Sequence, residues 1–355
     1  MRPTSGPLDP RAKAILQAVI EDYVATANPV GSQALVERYS LGVSSATVRA
    51  ILADLEAGGL LTHPHTSAGR VPTDAGYRSY VETIVDLGAR PPAVEQLMIR
   101  HQFGQVEHAS EQWFRLAATT LASMTRSAGL ATAAKPATAR VRRIDLVAIQ
   151  DRLASLILIL REGSIKQGLI ALDLPVTQAD LTRVANLLNE RLAQLTATEI
   201  VAALPGLERA LGGDDESRNL TRNIAERIIR TVAEFDALRV EEVYSDGLLN
   251  VMEAPEFAQS EKLRRVFNAL ENRAYLADLI AVVTETGRIH VFIGRENAPA
   301  EMGEVSLVLA PYGRAGRAVG VVGVLGPTRM AYAQAIGTVG FVSNLMNELV
   351  DHLYA

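Results

Sequence analysis

The sequence predicts a multidomain α+β protein that begins with a winged helix-turn-helix. The chain has 355 residues, more than one ordinary hydrophobic core accommodates, and 48% of them are hydrophobic. Helical spacing followed by a glycine-containing hairpin fills the first part of the chain, which is the element order of a winged helix. Strand-like segments then appear, give way to helical spacing and return near the carboxyl end. This order predicts an α+β domain interrupted by a mainly helical insertion.

The amino-terminal elements are predicted in chain order from spacing and capping residues. Helices are expected over residues 9–27 and 32–39, the first with proline in its first turn. A third helix is expected over 44–57, with serine at its start and two glycines after its end. Turn residues predict a hairpin over 60–72, and a fourth helix follows over 73–87.

The third predicted helix has two faces of different character. Its larger apolar residues recur at helical spacing and form one buried stripe: Val48, Ile51, Leu52 and Leu55. A rotation of 100° per residue places small side chains on the opposite face: Ala46, Ala50, Ala53 and Ala57. Exposed alanines allow a helix to lie close to the floor of a DNA groove and to touch thymine methyl groups.

Polar residues at the same helix suit DNA contacts. Thr47 and Arg49 flank the alanine strip, and an arginine bonds bidentately to guanine or holds a phosphate. Ser44 and Ser45 are placed to contact phosphate beside the amino-terminal amides. The alternative is a small helical bundle with an alanine-rich solvent face.

The hairpin is predicted to be a wing. Its hydroxyls and backbone amides suit phosphate, and Arg70 could enter a minor groove. The alternative is an ordinary polar turn. Two histidines, His63 and His65, could ligate a metal, but no further ligands lie nearby in sequence, so no metal site is predicted.

The charge balance favours two copies on one DNA site. The whole chain has a formal net charge of −5, and residues 1–88 contain seven basic and nine acidic side chains, a balance of −2. Because phosphate neutralisation dominates affinity, one such domain should bind DNA weakly. Tight binding then requires a dimer on an inverted repeat whose half-sites are about 10 bp, or a multiple of that, apart.

The secondary structure of the rest of the chain is predicted from the same spacing and turn residues. A Gly-Ala-Arg-Pro-Pro segment at 88–92 predicts a stiff linker that keeps the first domain at a semi-rigid distance. Helices are predicted over 93–128, 177–203, 214–237, 257–273 and 329–352, and a loop over 131–139. Strands are predicted over 144–149, 153–160, 165–172, 279–284, 289–294, 304–312 and 316–326, with a short hairpin around 246–247. The expected domains are 1–88 for the winged helix, 89–176 and 240–355 for the two parts of the α+β domain, and 177–239 for the insertion.

Several classes of function are excluded by what the sequence lacks. It has no cysteine, so disulfide and thiolate chemistry are excluded. No signal segment is present, and the longest aliphatic run, at 153–160, is far shorter than the roughly 20 residues that a bilayer requires. We therefore expect a cytoplasmic protein without a membrane partner. The absence of P-loop, HExxH, GxSxG and GxGxxG motifs predicts a protein that is not an enzyme and has no cofactor.

Two segments carry a family resemblance. The run VGSQALVERYSLGVSSATVRAILADLEAGGLLTHPHTSAGRVPTDAGYRSYV at 30–81 resembles the heat-inducible transcription repressor HrcA family, and PHTSAGRVPTDAGYR at 64–78 is especially characteristic. LGPTRMAY at 325–332 is similar to the same family. The resemblance extends over essentially the whole chain, including the helical insertion.

The resemblance implies a homodimeric repressor of heat-shock chaperone operons of the groE and dnaK type. Its partner is double-stranded operator DNA, an inverted repeat named CIRCE. The resemblance also implies a GAF-like domain interrupted by a dimerising insertion. A GroEL-type chaperonin is implied to keep the repressor folded and active until heat supplies competing unfolded clients. Such control requires only marginal stability.

The same resemblance assigns candidate DNA contacts residue by residue. The start of the recognition helix corresponds to Ser44, Ser45, Thr47 and Arg49, and the wing to His65, Thr66, Ser67, Gly69 and Arg70. Ser32 and Ala50 complete the set. Family members often have a polar residue, typically asparagine, directly after the helix arginine, where this chain has Ala50. Either the base contacts differ, or Arg49 and Thr47 carry more of the readout.

Three other functions stay open on the residues alone. A GAF-like domain could bind a small effector that controls the repressor, although few polar groups converge in 279–326. The β-rich domain could act as an enzyme on a nucleotide, or the winged helix could bind protein. Ligand-dependent melting shifts, nucleotide turnover and retention of duplex DNA at low salt distinguish these functions.

Overall fold

The protein is described from a computed structural model. The described residues are 8–64, 69–106, 110–135, 138–161, 164–210, 215–237, 242–257, 264, 266, 268, 272–314 and 318–353. The chain divides into two compact units, the first made of 1–133, 242–312 and 320–349 and the second of 134–241, 313–319 and 350–355. No helix in the described residues is long and apolar enough to cross a bilayer.

The described helices and strands have the following bounds. The helices are α1 Pro10–Thr26, α2 Ser32–Arg38, α3 Ser45–Ala57, α4 Asp74–Leu87, α5 Ala93–Gly104, α6 Ser110–Thr125, α7 Gln178–Leu192, α8 Ala197–Ala210, α9 Asp215–Ala237, α10 Leu248–Met252, α11 Arg273–Thr286 and α12 Tyr332–Leu353. The strands are β1 Leu61–Thr62, β2 Val71–Pro72, β3 Ala128–Thr132, β4 Val141–Gln150, β5 Leu153–Leu160, β6 Ile165–Ala171, β7 Val243–Asp246, β8 His290–Ile293, β9 Val305–Arg314 and β10 Ala318–Pro327.

The first unit begins with the winged helix that the sequence predicts. Helices α1 to α4 surround one core, and β1 pairs antiparallel with β2 through Leu61 and Pro72. The remainder of this unit contains a sheet with the strand order β7-β3-β10-β9-β8, so that β8 is an edge strand. Helix α4 packs directly against β8. The sequence predicted that the 88–92 segment would hold the winged helix at a distance. That prediction is wrong, because α4 contacts the sheet directly.

The predicted strand at 279–284 is wrong, because these residues lie in helix α11. Asn272 caps this helix by accepting bonds from the amides of Ala274 and Tyr275, and a left-handed Gly287 ends it. Its buried side chains are one or two turns apart along a single stripe: Tyr275, Leu279 and Val283. A short aliphatic run fits a buried helix as well as a strand, and the flanking caps decide between them.

Two smaller predictions also differ from the structure. Residues 128–132, expected as a helix end and a loop, form β3 between β7 and β10. The strand is built of small residues because α6 packs closely on it; a Cβ at Gly129 would lie 1.9 Å from the carbonyl oxygen of Ala118. The expected hairpin at 246–247 is the end of β7, after which Gly247, with φ of 70°, starts α10. The predicted helix at 257–273 lies largely outside the described residues.

The second unit combines a sheet with helices. Strands β4, β5 and β6 form an antiparallel sheet, with β5 in the centre. One face of this sheet and helices α7, α8 and α9 share a single apolar core. The sequence assigned 144–172 to the α+β domain and placed a boundary after residue 176. The structure instead places these strands with the helices that follow, because the inner face of the sheet and the three helices bury one common apolar core.

Candidate nucleic-acid interface

Helix α3 begins with a capped first turn. Ser44 is its N-cap, and the Ser44 hydroxyl accepts a hydrogen bond from the backbone amide of Thr47 at 3.2 Å. The hydroxyls of Ser44 and Thr47 are also 3.0 Å apart. This cap orders the first turn, whose remaining amides have no helical acceptor and point out of the helix. The start of α3 therefore offers backbone donors beside two hydroxyls.

The two faces of α3 are as predicted. Val48, Leu52 and Leu55 are buried, and Ile51 is half-buried beside them. The opposite face is exposed along its length: Ala46, Arg49, Ala50, Ala53 and Ala57. The Arg49 guanidinium makes no hydrogen bond or ion pair within the described part of the chain. The exposed face of α3 thus consists of small side chains and the guanidinium of Arg49.

Helix α2 is fixed against the start of α3. The hydroxyls of Ser32, the first residue of α2, and Ser45 are 3.3 Å apart. At the other end of α2, Arg38 donates to the carboxylate of Asp22 at 2.5 Å, and Asp22 is buried. Ser32 and Ser45 therefore serve the packing of one helix on the other in the unbound protein.

The returning side of the wing pairs with the segment between α1 and α2. The amide of Val30 donates to the carbonyl of Arg70 at 2.8 Å, and the amide of Arg70 donates to the carbonyl of Val30 at 2.9 Å. A Cβ at Gly69 would lie 2.6 Å from the Val30 backbone. Glycine at this position is therefore required by the approach of two backbones, whatever DNA contact its amide makes.

Arg70 is bound within the winged helix. Its Nε and Nη2 donate to Glu56 at 3.2 and 2.9 Å, and Nδ1 of His63 contacts the other carboxylate oxygen of Glu56. His63 and Arg70 together hold the pKa of Glu56 below its usual range. This cluster ties the last turn of α3 to both sides of the wing, and Arg70 would have to leave Glu56 to enter a minor groove.

Three of the predicted wing contacts lie outside the described residues: His65, Thr66 and Ser67. Among the residues that are described, no group of three His, Cys, Asp or Glu side chains could hold a metal ion. His63, one of the two histidines considered as ligands, faces a carboxylate on α3.

Comparison with known proteins assigns the chain to a family. A family model described as HrcA protein C terminal domain matches residues 111–336. The heat-inducible transcription repressor HrcA of Roseiflexus castenholzii is 41% identical over 352 residues, which cover 98% of this chain and 96% of that protein. The HrcA of Chloroflexus aurantiacus is 40% identical over 362 residues, which cover 99% and 96%. This chain belongs to the HrcA family.

The HrcA relatives are named as transcription repressors, a class of protein that is not enzymatic. The resemblance inferred from 30–81 and 325–332 is thereby confirmed. Among solved structures, the crystal structure of a hypothetical protein matches this HrcA-family chain with a TM-score of 0.63 and 20% identity, over 98% of this chain and 99% of that chain. The two proteins share a fold.

Sequence reasoning missed Glu56 and Val30. Val30 carries no chemical signal, because it acts through its backbone. Glu56 did carry one, since a carboxylate in a helix expected to approach phosphate is unfavourable unless a cation neutralises it. That consideration points to an internal partner, and only the fold shows that the partners are His63 and Arg70.

Proposed function

We propose that this protein is a homodimeric repressor of heat-shock chaperone operons that binds an inverted-repeat operator of the CIRCE type. The observation that carries the proposal is the exposed face of α3, at a helix whose start presents hydroxyls and amides. Arg49 lies there among alanines and has no ion pair or hydrogen bond to any described residue. The family supports the repressor function, and the geometry supports a major-groove reader.

The proposed contacts divide by role. Arg49 reads a base edge, because an unpaired arginine on the groove-facing surface bonds bidentately to guanine. Ser44, Thr47 and the first amides of α3 hold a phosphate and set the register of the helix. Ala50 and Ala53 allow the helix to approach the groove floor. The wing contributes Arg70 once the phosphate backbone competes with Glu56 for its guanidinium.

We propose the open face of the β4-β5-β6 sheet as the dimer surface. Seven aliphatic side chains lie on the face turned away from the core: Val147, Ile149, Leu153, Ile157, Ile159, Ile165 and Leu169. Val147, Ile149, Ile165 and Leu169 are 42–64% exposed. Contiguous exposed aliphatic surface of this kind is typical of a protein interface.

A second copy of this chain is the occupant that the surface favours. Arg143 and Asp145 lie on the same face and are joined by hydrogen bonds of 3.0 and 3.1 Å, so the face carries both signs of charge and does not repel its own copy. A two-fold axis through it would oppose each apolar side chain with aliphatic surface. The charge of −2 in residues 1–88 also requires two winged helices for tight DNA binding.

The proposal includes a GAF-like assignment for the sheet of the first unit and control by a GroEL-type chaperonin. The sheet interior is filled by buried aliphatic residues, including Leu307, Val322 and Val324, which favours packing over a large effector site. Chaperonin control requires that a modest loss of folded protein derepresses the operon. The exposed aliphatic sheet of a separated subunit is surface that a chaperonin would bind.

Selection of bound duplexes from a random pool tests the proposal. Native protein and an Arg49→Ala control are each selected with and without a GroEL-type chaperonin. We expect native protein to enrich a two-fold symmetric site, more strongly with chaperonin, and the control to lose base preference. A symmetric site that is indifferent to chaperonin would direct attention to a small effector. Failure of folded native protein to enrich any sequence would overturn the proposal.

A further inference from the structure

The winged helix meets the sheet of its own unit through polar contacts that the proposed DNA contacts do not use. They involve the two segments most typical of the family, PTDAGYR at 72–78 and LGPTRMAY at 325–332. Arg329, in the second segment, reaches α1, and Arg78, in the first, reaches strand β8. We call these two arginines with their partners the latch.

Arg329 joins the end of α1 to the sheet side. Its Nη1 donates to the carbonyl of Val24 at 2.9 Å, and its Nε donates to Glu256 at 2.6 Å. Val24 lies in the last turn of α1, where helical carbonyls have no intrahelical donor. A cation there satisfies an otherwise unpaired acceptor and interacts favourably with the helix dipole. The Arg329 side chain is only 17% exposed, so its geometry is fixed by these partners.

Arg78 makes the matching contact from α4. Its Nη2 donates to the carbonyl of Val291 at 2.6 Å, and its Nε donates to Glu296 at 2.9 Å. Val291 is in β8, the edge strand, whose outer carbonyls have no strand partner. Glu296 is itself held by the amide of Ile293 at 2.9 Å. Each arginine thus binds one backbone carbonyl and one carboxylate.

An aromatic contact lies between the two arginines. The rings of Tyr77 and Tyr332 have centroids 5.5 Å apart, and both residues are at least 97% buried. The Tyr332 hydroxyl is bonded to Ser306 at 2.8 Å and donates to the carbonyl of Thr328 at 2.7 Å. Several directional contacts around a buried pair leave α1 and α4 with one orientation on the sheet.

We infer that Arg78 and Arg329 are positioning residues for DNA recognition, which fix the direction of α3 and so set the half-site spacing that the dimer accepts. The inference rests on the proposed dimeric operator binding. A winged helix tethered only through 88–92 would reach operators of several spacings, whereas a docked one reaches few. Both guanidinium groups are occupied within the latch in the unbound protein.

A distance measurement tests the latch without DNA. The cysteine-free chain allows spin labels at Gln33→Cys on α2 and Leu249→Cys on α10, two exposed positions. The labelled chain is mixed with an excess of unlabelled chain, so that a dimer contains one labelled copy. We expect a single narrow distance with the native sequence and a broad distribution with the Arg78→Ala/Arg329→Ala variant. Arg115→Ala, which removes an exposed arginine paired with Glu111, is the control and should stay narrow. A narrow distribution in a folded double variant would overturn the inference.

Operators with altered half-site spacing then test whether the latch sets the spacing that the dimer accepts. Native protein should lose roughly 100-fold in affinity when the spacer changes by half a helical turn, about 5 bp, because the second site is no longer reached. The double variant should bind both spacings within about threefold while its affinity for a single half-site is unchanged. If the double variant keeps the spacing selectivity of native protein, the latch inference is wrong but the proposed function stands. If native protein does not bind a two-fold symmetric site, the proposed function is wrong.

Glu256→Gln is the milder variant if the double substitution unfolds the protein. This variant keeps a hydrogen-bond acceptor beside Arg329 and removes the negative charge of Glu256 that pairs with the guanidinium. We expect partial broadening of the distance distribution and a partial loss of spacing selectivity. Native behaviour in both measurements would contradict the role of Arg329.

Discussion

The outward face of α3 and the open face of the β4-β5-β6 sheet are both the uncovered side of an element whose other side is buried. On α3 the uncovered side chains are small, with Arg49 among them. On the sheet most of them are aliphatic and large, with Leu169 60% exposed and Ile165 64% exposed. A low, hydrogen-bonding surface suits a DNA groove, whereas a broad aliphatic surface suits another protein. The chemistry of the uncovered side therefore indicates the class of partner.

The comparison also shows why the two surfaces depend on each other. The winged helix has little available positive charge, because Arg70 of the wing is paired with Glu56 and Arg38 of α2 with Asp22. Affinity for a phosphate backbone must then come from a second copy. In the proposed dimer, the aliphatic sheet face is the surface through which the two copies pair.

The largest effect should come from placing a charge on the aliphatic sheet face. We expect Leu169→Glu to produce monomers and to lower operator affinity by about 10²- to 10⁴-fold, because the second winged helix is no longer tethered. Sedimentation and fluorescence anisotropy measure the two changes. Val201→Glu, at a position 52% exposed on α8, is the matched control and should stay dimeric. A dimeric Leu169→Glu variant would place the interface elsewhere.

The two faces of the same sheet should respond differently to truncation. Leu156 is 1% exposed on the core face, so Leu156→Ala should reduce the free energy of unfolding by about 2–5 kcal/mol and leave dimer affinity nearly unchanged. Leu169→Ala should weaken the dimer and change the stability of the separated subunit by about 0.5 kcal/mol or less. Urea unfolding at low protein concentration and sedimentation equilibrium distinguish the outcomes. Similar stability losses in both variants would mean that the open face is covered.

Removing the arginine of α3 should lower DNA affinity by a smaller amount, and the loss should depend on the DNA sequence. Arg49→Ala should lose about 1–3 kcal/mol of binding to the selected operator and relax preference at one base pair in each half-site. Arg49→Lys keeps the charge without the bidentate geometry, so it should recover affinity and not base preference. Competition with single-base operator variants measures both quantities. Equal losses for every duplex would make Arg49 a phosphate contact.

The smallest effect should be a pH dependence of the wing. Because the pKa of Glu56 is lowered by folding, its contribution to stability is complete above the unfolded pKa of about 4.3 and is lost as pH falls through the folded value. We expect Glu56→Gln to be less stable than native protein at neutral pH and to match it in acid. Urea unfolding of both proteins across this range provides the measurement. A constant difference at all pH values would show that His63 and Arg70 do not hold the carboxylate.

Most elements were predictable where local signals agree. Helix α3 combines a serine cap, an apolar stripe and a glycine end, and the structure has it within one residue of the prediction. The run at 279–284 shows the limit, since its aliphatic residues suit a strand or a buried helix and Asn272 with Gly287 decide the outcome. Strand β3 was missed because its small residues reflect the close approach of α6, which is a tertiary constraint.

By itself the sequence determined the winged helix, the two faces of α3 and, through 64–78 and 325–332, the family. These features follow from periodicity, caps and motifs, which are local properties of the chain. Only the tertiary structure decided that Arg70 is bound to Glu56, that 144–172 belong with the following helices, and that Arg78 and Arg329 fasten the winged helix to its sheet. Such partners are up to 305 residues apart in the chain. Their pairing is set by which surfaces the folded core brings together, and no local pattern records it.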